Sequence, residues 1–140
     1  MACVDEDLAP GLAPGATAGA AAGSATITLT NISPRTCTVR GFGGVSLGRS
    51  DGGTILSSQQ RTDDSPVLVV LAPGDRARSG ITWSRTADTA VGEPATGDCE
   101  AVPTSLLVIP PDQIAPIAIP WNFGPVCAQG RLVQTPYVAD

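Results

Sequence analysis

The chain has no histidine and no lysine, and all eight of its basic residues are arginine. Without histidine there is no imidazole to activate a serine or cysteine nucleophile, and no imidazole metal ligand. No unperturbed side chain then titrates between about pH 6 and 8, which excludes a histidine-based pH switch. Without lysine there is no Schiff base, no Ser–Lys dyad and no P-loop lysine. An enzyme built on this sequence would have to work with carboxylates, cysteines, arginines and one tyrosine.

Charge and aromatic side chains are also scarce, at 15% and 4% of the residues. Hydrophobic residues reach 42%, too many for a chain that stays disordered by composition. No apolar run approaches the roughly 18 residues of a membrane-spanning helix. The longest, "PVLVVLAP", is strand-sized. A formal net charge of −5 disfavours nucleic acid and anionic membrane surfaces, both of which select an excess of cations. No nucleic-acid partner, no direct membrane insertion by this domain, and no cofactor or metal are therefore expected. Abundant Gly, Ala and Pro, with Arg in place of every Lys, is the bias of a GC-rich genome. A chain of 140 residues is one domain's worth, and residues 1–140 read as a single unit able to bury a core unaided.

What is present is an even set of cysteines: Cys3, Cys37, Cys99 and Cys127. Structural zinc sites take their ligands in close pairs, and redox pairs use a two-residue spacing; neither occurs here. Two structural disulfides fit better and imply an oxidising compartment, extracellular or at the cell envelope. Spacing alone leaves all three connectivities open. The start, "MACVDEDL", has neither the charged nor the apolar region of a secretory signal, so the expectation is that an export signal or anchor upstream has been removed. In an alternative reading "AC" ends a lipobox and Cys3 carries lipid, which leaves Cys37 unpaired.

Along the chain, strand patterns alternate with Gly/Pro punctuation. "SATITLTN" sets Ile27 and Leu29 on one face against Thr26, Thr28 and Thr30 on the other. "NISP" turns the chain, and "TCTVRG" points Cys37 and Val39 inward. "GVSLG", the turn "RSDGG" and the polar stretch "SSQQRTDDS" follow. "PVLVVL" reads as a central strand buried on both faces. The turn "APGD" leads into "RARSGITWS", whose Ala77, Ser79, Ile81 and Trp83 share a face, with Trp83 the core tryptophan. A loop of roughly 20 residues carries Cys99, and three last strands are expected at "SLLVIP", "IAPIAIPW" and "GRLVQTP". "APGATAGAAAG" reads as loop, and no helix-length amphipathic pattern occurs. Short strands on a cysteine framework indicate an all-β, antiparallel immunoglobulin-like β-sandwich stapled by two disulfides.

The order of these features resembles the actinobacterial secreted and lipoprotein family known as domain of unknown function 4232. The resemblance runs from Cys3 to Tyr137: a Cys shortly before Leu8, a strand ending in "LTN", then "CTVRGFGGVSL", "LAPGDRA", "GITW", a third Cys, "LLVIPP", and a fourth Cys in "VCAQGRLVQTPY". It implies a sandwich exported or anchored at the envelope, with no established activity and no catalytic residues to carry over. It also implies the pairs Cys3–Cys37 and Cys99–Cys127. "GFGGV" departs from the family pattern in having glycine where the pattern has a proline, which should slightly loosen the turn.

Candidate sites weigh as follows. Asp63 and Asp64 in "RTDDS", with Asp51, could reach one cation, but no EF-hand or RTX spacing supports calcium, and a solvated loop accounts for them. Glu93 and Glu100 with the aspartates could supply a glycosidase pair only if two carboxylates faced each other across a cleft. Trp121 and Phe123 in "PWNFGP" could stack on a sugar or anchor a partner, against the plainer reading of Trp121 in the core and Phe123 capping its edge. "DEDL", with Asp5, Glu6 and Asp7, reads as a solvated edge strand or, more sharply, a divalent-ion contact. The expected function is a non-enzymatic binding or structural module at the cell envelope. Its partner would be an envelope protein or a cell-wall polysaccharide, and the binding residues would be Trp121, Phe123, Asp63 and Asp64. An accessory or sensory ectodomain of a larger membrane-anchored protein and a carboxylate-based glycan-active enzyme are the rivals.

Overall fold

The computed structural model describes residues 1–15, 19 and 21–140. Its strands are β1 (Leu8–Pro14), β2 (Ala22–Asn31), β3 (Cys37–Val39), β4 (Gly44–Gly48), β5 (Thr54–Ile55), β6 (Ser58–Arg61), β7 (Val69–Leu71), β8 (Arg76–Ser84), β9 (Ser105–Ile109), β10 (Ile117–Pro120), β11 (Arg131–Gln134) and β12 (Val138–Ala139). They form a six-stranded sheet in the order β1-β2-β8-β11-β6 with β12 also on β8, a four-stranded sheet β10-β9-β4-β5, and a ribbon β3-β7. Buried side chains from both sheets and the ribbon join in one core, the arrangement of a sandwich.

The alternation in β2 and β8 decides which side chains reach that core. Ala25, Ile27 and Leu29 of β2 and Ala77, Ser79, Ile81 and Trp83 of β8 are buried, while the residues between them face outward or are half-buried. β1 carries Pro10 and Pro14, which a sheet edge tolerates because the missing N–H need bond no further strand. The "APGD" turn closes with the Asp75 N–H donating to the Ala72 carbonyl and Gly74 at φ 88°.

Four expectations change. β7 is not buried on both faces: Val69 and Leu71 point inward, but Val67, Leu68 and Val70 are 50%, 60% and 61% exposed. The reason is that β7 belongs to a two-stranded ribbon with only one face on the core. The polar "SSQQR" stretch contains β6, whose pairing with β11 is parallel, whereas antiparallel pairing was expected throughout. The acidic part of "DEDL" is not strand: Asp5–Asp7 make a 3-10 turn in which Asp7 is buried, and the edge strand β1 starts only at Leu8. The loop expected at "APGATAGAAAG" falls partly on residues 16–18 and 20, outside the described residues, and its flanks Ala13, Pro14, Ala22 and Gly23 lie in the β1 and β2 strands.

Cys3 pairs with Cys37 and Cys99 with Cys127, with Cα separations of 4.9 and 5.5 Å. The loops closed span 34 and 28 positions, for which chain entropy assigns each bridge roughly 3–4 kcal/mol. The first bridge ties the N-terminal segment to β3, where the Cys3 N–H donates to the Thr38 carbonyl at 2.8 Å.

Candidate functional site

A cleft of about 530 Å³ opens where the β3–β4 loop, β6 and the turn after β9 converge. The loop is "RGFGG", Arg40 to Gly44, and Arg40 follows directly on β3, which the Cys3–Cys37 bridge holds. Phe42, 8% exposed, lies in the wall, and the Arg61 guanidinium stands over its ring at 5.2 Å from the centroid. Gln59 and Arg61 are two residues apart on β6, so both side chains fall on the same face of the strand and reach the loop.

Three successive loop carbonyls are held by donors of the protein itself. Gly41 accepts from the Tyr137 N–H at 2.9 Å, and Phe42 from Gln134 Nε2 at 2.8 Å. Gly43 accepts from Gln59 Nε2 at 3.1 Å and Arg61 Nη2 at 3.3 Å. Gln134 is fully buried and connects this loop to the core: it also donates to Ser79 Oγ at 3.1 Å and accepts from Gln59 Nε2 at 2.6 Å. Gly43 has φ 63° and lies against the Ile109 carbonyl, a conformation closed to proline and to side chains in general. Glycine thus shapes this turn rather than loosening it.

The opposite wall is a turn from Pro110 to Gln113, closed by the Gln113 N–H on the Pro110 carbonyl at 3.1 Å, with Pro111 second and Asp112 third at φ 64°. That is the type II pattern with an aspartate in the left-handed position. Gln113 reaches across to the N-terminal segment, accepting from the Asp5 N–H at 3.3 Å and donating to the Cys3 carbonyl at 3.4 Å.

The residues nominated from sequence fall elsewhere. Trp121 is 3% exposed and packs with Trp83 and Phe123 in an aromatic cluster whose ring centroids lie 4.7 to 5.7 Å apart. Its indole N–H donates to the Gly124 carbonyl at 2.8 Å, and Phe123 packs half-buried at the edge of the core. Asp63 and Asp64 are exposed in the segment between Arg61 and Pro66, two residues of the cleft wall, and Asp64 accepts from Thr62 Oγ1 at 2.7 Å. The nominated aromatics therefore line the core, and the nominated aspartates flank the cleft. Asp51 is engaged by its own turn, accepting from the Gly53 N–H at 2.8 Å beside Arg49. Among the described residues no three His, Cys, Asp or Glu side chains gather as a metal site would need.

Sequence reading missed Arg40, Phe42 and Arg61. The available signal was an arginine and a phenylalanine set among three glycines in "RGFGG" and the Gln-x-Arg spacing of β6.

The sequence matches the family described as domain of unknown function (DUF4232) over residues 3–138. The chain belongs to the DUF4232 family. No curated protein and no solved structure matches it. Both bridges of this DUF4232 domain lie inside the matched span.

A second polar cluster of the DUF4232 domain stands beside the Cys99–Cys127 bridge. Glu93 is buried, and its carboxylate accepts from the N–H groups of Asp88, Ala128 and Gln129 at 2.8, 2.9 and 3.0 Å. Ala128, Gln129 and Gly130 all have positive φ, a left-handed turn whose N–H groups converge on one anion. Burial pushes the Glu93 carboxyl up, but Glu100 beside it and these N–H donors outweigh burial and hold it at about 2. The hydrogen bond with Glu93, then burial and like charge, raise Glu100. These are the two glutamates considered for glycosidase chemistry, and Glu93 is committed to backbone N–H groups of its own loop and of the Ala128–Gln129 turn.

Proposed function

We propose that this DUF4232 domain is an exported, non-enzymatic module that binds a component of the cell envelope, an envelope protein or a cell-wall polysaccharide. The observation that carries the reading is the state of the cysteines: all four are closed in disulfides, as in proteins matured in an oxidising compartment. The non-enzymatic part draws support from Glu93 and Glu100, whose interaction is with each other and with a structural turn rather than with an open cleft. The binding part draws support from the cleft between "RGFGG" and "IPPDQ", a concave site with few, fixed polar groups. Among the described residues no helix is long and apolar enough to cross a membrane.

Co-sedimentation of the disulfide-intact protein with host cell-wall sacculi, and separately with stripped membranes, tests this. Retention on sacculi that survives protease treatment of the wall identifies a glycan ligand. Retention lost with protease, or seen only on membranes, identifies a protein partner. Absence from both pellets contradicts the reading.

A further inference from the structure

We propose that the cleft at the "RGFGG" loop is an anion site that takes a carboxylate or phosphate group carried on an apolar or ring-shaped body, a proposal that rests on the chain being a binding module. The first ground is the distribution of charge. The sequence has 13 acidic and eight basic residues. Arg35 pairs with Asp7, Arg49 with Asp51, and Arg76 and Arg78 with Asp140. Among the described residues Arg40, Arg61, Arg85 and Arg131 have no carboxylate partner, and two of these four, Arg40 and Arg61, stand together on this cleft. With acids in excess, two uncompensated guanidiniums on one concavity leave its charge to be met from outside.

The second ground is the balance of hydrogen-bonding groups. The carbonyls of Gly41, Phe42 and Gly43 are all occupied by protein donors. Among the described residues the N–H groups of Gly41, Phe42 and Gly43 have no protein acceptor. The loop thus has donors to spare and no free carbonyl among those three, the balance an anion requires and a cation does not.

The third ground is preorganisation. Arg61 is stacked over Phe42 and tethered through one N–H to the Gly43 carbonyl, which leaves the rest of its planar fork to meet two oxygens side by side. Ordering it beforehand lowers the entropy lost on binding. Phe42, Pro66, Pro110 and Pro111 supply apolar wall for the body of the ligand. Asp112 shares the cleft and opposes an incoming anion, while the exposed Asp63 and Asp64 flank it between Arg61 and Pro66.

The test is an NMR titration of the disulfide-intact protein, reading backbone amides and arginine Nε–H signals. The probes are benzoate, phenyl phosphate and inorganic phosphate, with benzyl alcohol as the uncharged control. Saturable shifts confined to Gly41, Gly43, Gly44, Arg40 and Arg61, weakened by salt and absent with benzyl alcohol, support the site. Tighter binding of phenyl phosphate than benzoate assigns a phosphate ligand, and the reverse a carboxylate. Arg61→Gln should weaken binding about tenfold, whereas Asp112→Asn should tighten it roughly two- to fivefold. Unshifted β2 and β8 amides in each variant certify the fold. Shifts that do not saturate, that benzyl alcohol reproduces, or that survive Arg40→Gln together with Arg61→Gln overturn the proposal. The same double variant separates this proposal from the module reading. If it sediments with envelope fractions as well as wild type, the cleft is not the contact and the proposal falls while the module stands. If wild type fails to sediment but binds the anions, the module reading falls and the anion site stands.

Discussion

Glu93 Oε2 accepts the backbone N–H of Gln129 at 3.0 Å, and Gln129 is a non-glycine residue held at φ 59°. Left-handed backbone costs such a residue roughly 1–2 kcal/mol, and Ala128 beside it is at φ 55°. The Glu93 carboxylate offsets that strain by accepting both N–H groups, and the Cys99–Cys127 bridge closes the same loop. Glu93→Ala should therefore destabilise the fold by about 2–4 kcal/mol, the loss of several charge-assisted hydrogen bonds to a buried acceptor. Urea unfolding with the bridges intact measures it; a loss near zero would mean that the turn holds itself.

The Glu93–Glu100 pair makes stability depend on pH in two opposite senses. Glu93 is depressed from its ordinary 4.5 to about 2, so its contribution is present above about pH 4.5 and is lost as the pH falls through about 2. Glu100 is raised, so its contribution is present below 4.5 and is lost as the pH rises through its folded value. Glu100→Gln keeps a donor for Glu93 and removes the second charge. Its melting temperature should exceed that of wild type at pH 7, and the gap should close below pH 4.5. An unchanged or lower value at pH 7 counts against the pair.

Gly23 stands opposite Trp83 across the β2–β8 ladder, and the Trp83 ring lies on the space a Cβ would occupy. Gly23→Ala should push the indole away from Trp121 and Phe123 at a cost of about 1–3 kcal/mol. Tryptophan fluorescence and thermal melts would register it, and a wild-type melt with unshifted emission would show that the ring can move freely.

Gln134 is the buried junction between core and cleft. Gln134→Leu leaves the Phe42 carbonyl without its donor and Gln59 Nε2 without one of its acceptors, and should cost about 2–4 kcal/mol. Its amide shifts should concentrate at residues 41–44. Shifts confined to β8 would show that the loop is held without it.

The alternating strands were legible because period-2 patterning and one-sided burial are the same fact, so Ile27, Leu29, Ile81 and Trp83 could be placed directly. The cysteine pairs followed from family resemblance, not from spacing. "PVLVVL" misled because a continuous apolar run looks alike whether one face or both are covered. Asp7 misled because an acidic cluster looks solvated, yet its carboxylate accepts the Val4 N–H at 3.0 Å and meets Arg35 at 3.2 Å. The Val4 N–H, and after it Arg35, hold that carboxyl below its usual range despite burial. The cleft was least legible of all. The "RGFGG" loop with Arg40 and Phe42, the β6 strand with Arg61, and the Pro110–Pro111 turn lie far apart in the chain, and only the folded sheets bring them together.

The most direct measurement of the central claim is the thiol state and location of the protein in its host. Cells expressing a tagged copy are quenched with an alkylating mass tag without reductant, then fractionated. The account predicts an envelope or extracellular protein that takes up no tag, with both bridges closed and a mass about 4 Da below the fully reduced chain. A cytosolic protein that takes up the tag on all four cysteines would contradict it.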